Sequence, residues 1–160
     1  MLNWLKNQTL ENWANAPIVN DGETVIDAPA AEIFERLDLA SPSNALRQRG
    51  FTFGAGNPAY DIFEASDPDQ PDVTLVFEVT ESRPRKRYCY RTTARSTDKH
   101  CAVTESSCEF TIVPQKDGRH LLHLQETSTL TPGLDRNQYI LERAKLNFSV
   151  FRTLARLRLH

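Results

Sequence analysis

Between Phe51 and Thr131 the chain repeats with a period of two, in segments too closely spaced for anything but an antiparallel sheet. Stretches near 51–55, 59–65, 73–81, 86–95, 101–113 and 120–130 are rich in β-branched and aromatic residues. Turn clusters separate them: Gly56-Asn57-Pro58, Ser66-Asp67-Pro68-Asp69, Arg83-Pro84, Ser96-Thr97-Asp98-Lys99 and Asp117-Gly118. A parallel return needs a crossover of a dozen or more residues, so connections this short imply a meander.

The flanks read differently. Ile18 to Ile26 is extended. Asp27-Ala28-Pro29 then leads into a short helix whose apolar Ile33, Phe34 and Leu37 share one face, with Asp27 as its expected cap. Ser41-Pro42-Ser43 opens a second helical turn or two through Leu46, and Gly50 ends it. From Asp135 to about Arg158, Ile140, Ala144, Phe148, Phe151 and Ala155 form one line, which predicts a long amphipathic helix of roughly 35 Å. Residues 1–16 read as a helical appendage that packs on the body or on a second copy in a homodimer; residues 17–160 read as one domain. With 160 residues, 39% hydrophobic and 25% charged, a single globular domain is the expected size class.

Composition removes several functions. A net charge of −2 gives no general field toward polyphosphate, so nucleic-acid binding is disfavoured. No run approaches the roughly 18 apolar residues of a membrane span, and Met-Leu-Asn-Trp-Leu-Lys places polar residues where a signal peptide needs apolar ones; a cytoplasmic protein without integral membrane association is expected. Cys89, Cys101 and Cys108 lack zinc-site spacing, and His120 and His123 fall on opposite strand faces, so no metal and no cofactor are expected. No phosphate-binding loop, dinucleotide fingerprint, nucleophile elbow or zincin motif occurs.

Pairing arithmetic predicts which strand face is buried. A hairpin centred near Asp98 sets Tyr88 against Cys108, Tyr90 against Ser106, Thr92 against Thr104 and Ala94 against Ala102. A turn at Arg83-Pro84 sets Val79 against Tyr88, Phe77 against Tyr90 and Leu75 against Thr92. For the last hairpin, a two-residue turn would oppose Glu109 and Glu126, which destabilises. A longer turn with a left-handed Gly118 pairs Ile112 with Leu122, Phe110 with Leu124 and Cys108 with Glu126, and is preferred. The inner face then carries Phe77, Tyr88, Phe110 and Leu124 toward one end, and Thr92, Thr104, Ser106, Glu126 and Ser128 toward the other. Buried hydroxyls and carboxylates without partners cost on the order of 1–3 kcal/mol each, so that polar cluster marks either a wet end of the sheet or a groove for an amphipathic molecule.

These residues resemble the START-like helix-grip superfamily (SRPBCC, the polyketide cyclase/dehydrase and lipid-transport group). The resemblance is carried by Val25-Ile26-Asp27-Ala28-Pro29-Ala30-Ala31-Glu32-Ile33-Phe34, the Phe77–Pro84 strand end, the Asp117-Gly118 hairpin running into Glu126-Thr127, and the terminal helix. It implies an α+β fold: a curved antiparallel sheet of about seven strands gripping the C-terminal helix, two short helices after the first strand, and a hydrophobic cavity between sheet and helix. Binding or transport of a small hydrophobic or amphipathic ligand (lipid, polyketide or quinone-like) is the expected function. Phe77, Tyr88, Tyr90, Thr92, Thr104, Ser106, Cys108, Leu124, Glu126 and Phe148 are the expected lining. Two alternatives stand beside it. One is a cyclase/dehydrase- or hydrolase-like enzyme using Glu126 and Tyr90 as acid/base partners. The other is a protein-interaction module whose groove is filled by side chains. For Glu126 the plain alternative is a carboxylate held by a hydroxyl such as that of Thr104 or Tyr90; for the two tyrosines it is ordinary packing. Cys108 is expected to be a small buried apolar side chain, and Arg83-Pro84-Arg85-Lys86-Arg87 a solvated turn.

Overall fold

A computed structural model describes residues 17–54, 56–96, 103–130 and 137. Its elements are β1 (Ile18–Ile26), α1 (Ala30–Leu37), α2 (Ala45–Gln48), β2 (Thr52–Phe53), a 3-10 turn (Pro58–Tyr60), β3 (Ile62–Asp67), β4 (Gln70–Arg83), β5 (Arg87–Ser96), β6 (Val103–Pro114) and β7 (His120–Leu130). All seven strands form one antiparallel sheet in the order β1-β7-β6-β5-β4-β3-β2. The helices expected over 1–16 and over Asp135 to about Arg158, with Phe148, lie outside the described residues apart from Asn137, as does the side chain of Thr104.

The sheet registers in part as expected. Between β6 and β7, Ile112 faces Leu122, Phe110 faces Leu124 and Cys108 faces Glu126, and Gly118 is left-handed at φ 84°. The β5–β6 pairing is two residues out from the expected one: Tyr90 faces Cys108 and Thr92 faces Ser106. A slip of two preserves which face each side chain occupies, so the buried set is unchanged while every predicted partner moves by one row.

The β4–β5 pairing also differs. Pro84-Arg85-Lys86 forms a three-residue loop with Arg85 left-handed at φ 66°, closing on Arg83 opposite Arg87. A bulge between Val79 and Glu81 then shifts the ladder, so that Val79 faces Tyr90 and Phe77 faces Thr92. The bulge reverses the face assignment along β4. Without it Ser82, which pairs with Tyr88, would have put the even-numbered residues of β4 inward throughout.

The helical segment after β1 corrects two expectations. Pro29, not Asp27, occupies the N-cap of α1, with no side-chain cap. The second helix starts at Ala45, later than the expected opening at Ser41-Pro42-Ser43, and Asn44 caps it: its Oδ1 accepts from the Leu46 N–H at 2.9 Å, while its Nδ2 donates to the carbonyls of Arg36, Leu37 and Asp38. One buried amide thus ties the last turn of α1 to the first of α2. Gly50 ends α2 as expected. At φ 97° it donates to the Arg47 carbonyl while Phe51 donates to that of Leu46, the two bonds of a Schellman cap.

The core lies between the inner sheet face and these short helices. Ile26, Ile33, Leu37, Leu39, Phe63, Phe77, Tyr88, Phe110, Ile112, Leu122 and Leu124 form one buried cluster. The opposite face carries ion pairs: Glu78 with Arg91, Glu81 with Arg83 and Arg87, and Arg87 with Glu109. The basic run at the β4–β5 turn is accordingly half engaged, since Arg83 and Arg87 flank the turn and both hold Glu81.

Candidate functional site

The antiparallel ladders arrange the inner face as rows running across the strands. One row reads Val79, Tyr90, Cys108, Glu126 and Asn20; the next toward the β5–β6 turn reads Phe77, Thr92, Ser106, Ser128 and Ile18. Toward the other end, Tyr88, Phe110 and Leu124 make an apolar row. Polarity therefore changes along the sheet over two row spacings, and it changes on residues that are shielded from water. Glu126 is 1% exposed, Ser128 1% and Ser106 3%.

Glu126 accepts from three neutral donors among the described residues. Cys108 Sγ lies 3.3 Å from Oε2; Asn20 Nδ2 and Ser128 Oγ lie 3.4 and 3.5 Å from Oε1. The two contacts to Oε1 are long for hydrogen bonds, so they orient the carboxyl group only loosely. A carboxyl group shielded from water is costly to place unless it is hydrogen-bonded, which sets Glu126 apart from its apolar neighbours on the inner face. Its inward position follows from period-two geometry and the β6–β7 register. Asn20 is a site residue that the pairing arithmetic missed, because β1 was never registered against β7. The signal was present in Ile18, Asn20, Gly22, Thr24 and Ile26, alternate residues that end in buried isoleucines and hold small or polar residues between them.

Tyr90 is half-buried and sits at the centre of an aromatic cluster, its ring 5.3 Å from Phe77, 6.2 Å from Tyr88 and 6.0 Å from Phe110. Cys108 stands between Tyr90 and Glu126 in the row. The two candidate acid/base residues are thus brought to one line about 10 Å apart at the backbone, two strand spacings. A reacting group that engaged both would lie over Cys108.

Tyr88 has a different position. It is 2% exposed, its hydroxyl accepts the Leu39 N–H at 3.0 Å and donates to Asp38 Oδ1 at 3.4 Å, and its ring meets Phe34 edge-on. Burial, reinforced by the nearby Asp38 carboxylate, pushes the phenol well above the ordinary tyrosine range. The Tyr88 hydroxyl pins the α1–α2 connection to the sheet. Phe77, Thr92, Ser106, Cys108 and Leu124 are all buried on the inner face. The histidines separate as expected: His120 Nδ1 meets the Ala28 carbonyl, while His123 Nε2 meets Asp21 on the outer face. Cys89 is buried beneath the outer ion pairs, and burial raises its thiol pKa.

The β2 edge of the inner face holds a second polar feature absent from the sequence reading. Arg47 of α2 lays its guanidinium over the Phe53 ring, 3.9 Å from the centroid, and Phe53 stacks in turn on Phe77.

No family model and no curated protein matches the chain. Solved structures do. A conserved protein from Geobacillus kaustophilus superposes with a TM-score of 0.70 at 12% identity, covering 86% of this chain and 93% of its own. A START superfamily protein from Mycobacterium smegmatis gives 0.63 at 12% identity over 86% and 94% of the two chains. Ara h 8.0201 gives 0.63 at 9% identity over 88% and 96%. The chain therefore has the α+β fold of the START-like (SRPBCC) proteins. No helix of the described residues is long and apolar enough to cross a membrane.

Proposed function

We propose that the inner face of the sheet binds a small amphipathic molecule of lipid, polyketide or quinone-like character. The observation that carries this is an inversion of ordinary core order. Polar Glu126, Ser106 and Ser128 are almost wholly buried, while apolar Phe53, Leu75, Val79 and Tyr90 on the same face remain only partly covered. A face built for packing alone would cover its aromatic rings first, since apolar burial contributes about 25 cal/mol per Å². Partly covered rings beside oriented polar groups suit a ligand with an apolar body and a hydrogen-bonding head. Glu126, positioned by Asn20, Cys108 and Ser128, would accept from a hydroxyl or amide on that head.

The test is native mass spectrometry of the purified full chain together with titration of the neutral probe Nile red. Co-purified apolar mass, or saturable probe binding weakened by Leu75→Trp or Val79→Trp in folded protein, supports the reading. A chain that carries nothing and binds no probe removes it. The row geometry favours one second reading, acid/base catalysis by Tyr90 and Glu126 on a bound substrate. That reading requires Glu126→Gln to abolish turnover while leaving substrate bound; turnover that survives the change excludes it.

A further inference from the structure

We infer that Arg47 is an anchor for a ligand carboxylate at the β2 edge of the inner face. This deepens the ligand-binding reading and rests on it.

Most described arginines have a carboxylate partner: Arg36 pairs with Glu32, Arg83 and Arg87 with Glu81, Arg91 with Glu78, Arg95 with Glu64 and Arg119 with Asp117. Arg47 is half-buried and placed differently from these. Among the described residues it meets no carboxylate, and its protein contacts are one hydrogen bond from Nη2 to the Leu39 carbonyl at 3.2 Å and the face of Phe53. Its Nε, like that of Arg36, is shielded from water with no acceptor, so a docking carboxylate would meet its Nη groups. A guanidinium offers five N–H donors in a rigid fork, and the Leu39 carbonyl takes one of them.

The arrangement is also preorganised. The Leu39 bond fixes one arm of the fork, Phe53 fixes its plane, and Phe53 lies against Phe77 within the aromatic cluster that ends at Tyr90. A planar carboxylate docking on that fork would have its apolar chain laid along those rings.

Position sets the orientation. Glu126 lies at the far side of the sheet, on β7, and Arg47 beside the β2 edge. In this arrangement a ligand acid points to Arg47, and any donor group on the same molecule points to Glu126. The ligand class is an apolar chain or ring system ending in a carboxylate, with a hydroxyl or amide toward its other end.

The experiment competes straight-chain acids from octanoate to hexadecanoate, and the matching primary alcohols, against Nile red on the full chain near neutral pH. The wild type is expected to bind the acid about tenfold or more tightly than the alcohol of equal length, the size of a charge-assisted hydrogen bond. Arg47→Gln should cost the acid at least tenfold more than it costs the alcohol, and Arg47→Lys, which keeps charge but loses the fork, should recover only part of that preference. A purely structural role for Arg47 would weaken both series alike. Alcohols that bind with no preference for the acid, or a preference that survives Arg47→Gln, overturn the anchor while leaving the binding face intact. Should Arg47→Gln not fold, the wild-type comparison and Arg47→Lys still decide. If neither series displaces the probe and the probe itself does not bind, both readings fall together.

Discussion

Replacing Tyr88 with Phe deletes one oxygen from the middle of the molecule and little else. The ring keeps its edge contact with Phe34 at 5.6 Å and its place beside Tyr90. What disappears is the acceptor of the Leu39 N–H, in a residue that is itself 0% exposed. A buried donor left without a partner costs about 1–3 kcal/mol, and the 3.4 Å contact to Asp38 adds little. Tyr88→Phe is therefore expected to lose about 2 kcal/mol, or about 4–8 °C in Tm for a chain of this length. Alkaline pH gives a second signature. The folded-state phenol titrates above its unfolded value of about 10, so its contribution is complete below that pH and is lost as pH rises beyond it. Wild-type stability should fall by up to about 1.4 kcal/mol per pH unit from this group above pH 10, a slope absent from the variant. Urea unfolding at pH 7, 9 and 11 reads both effects, with the wild type and variant converging at the highest pH. A loss below about 0.5 kcal/mol at pH 7, or parallel alkaline limbs, would refute the assignment of Tyr88 as the pin of the α1–α2 connection.

Other consequences follow from the same packing. Asn44→Ala removes a helix cap and the shared donor to three carbonyls, and should destabilise by about 2–3 kcal/mol in urea unfolding; an effect under 1 kcal/mol would mean that water replaces the amide. Gly56→Ala places a Cβ 2.6 Å from the Ile62 carbonyl oxygen and should cost more than about 1 kcal/mol, whereas Gly54→Ala meets nothing within 4 Å and should stay within about 0.5 kcal/mol of wild type. Equal effects at the two glycines would contradict the close approach of the β2–β3 loop to β3. In a Cys101→Ser background, Cys89 and Cys108 should resist a thiol reagent at pH 8 until the protein unfolds, because both are buried and burial raises the Cys89 pKa. Rapid reaction of either thiol in native protein would show that its covering side chains move aside.

Which side chains face inward was legible in the sequence, and which partners they meet was only partly so. Period two ties each residue to a face, and a slip by one residue would have exposed Phe110, Ile112, Leu122 and Leu124 together, an error too costly for the chain to tolerate. A slip by two costs only the ladder ends. The β5–β6 register was therefore decided by turn details that hydrophobicity does not encode, and Tyr90 came to face Cys108 instead of Ser106. The β4–β5 case adds a bulge near Thr80, where the run Val79-Thr80-Glu81-Ser82 shows no break in pattern; only the three-residue loop forced by a left-handed Arg85 makes the bulge necessary. The β6–β7 register was recoverable because a like-charge clash between Glu109 and Glu126 ruled out its competitor, and that choice turned Glu126 inward. Arg47 and Asn44 escaped detection for the opposite reason. A four-residue helix has no periodicity to read, and the ties Arg47 to Leu39 and Asn44 to Leu37 depend on how the short helices fold back on the sheet. Strand pattern locates the pole of the inner face that accepts hydrogen bonds, while only tertiary packing reveals the cation at the other edge.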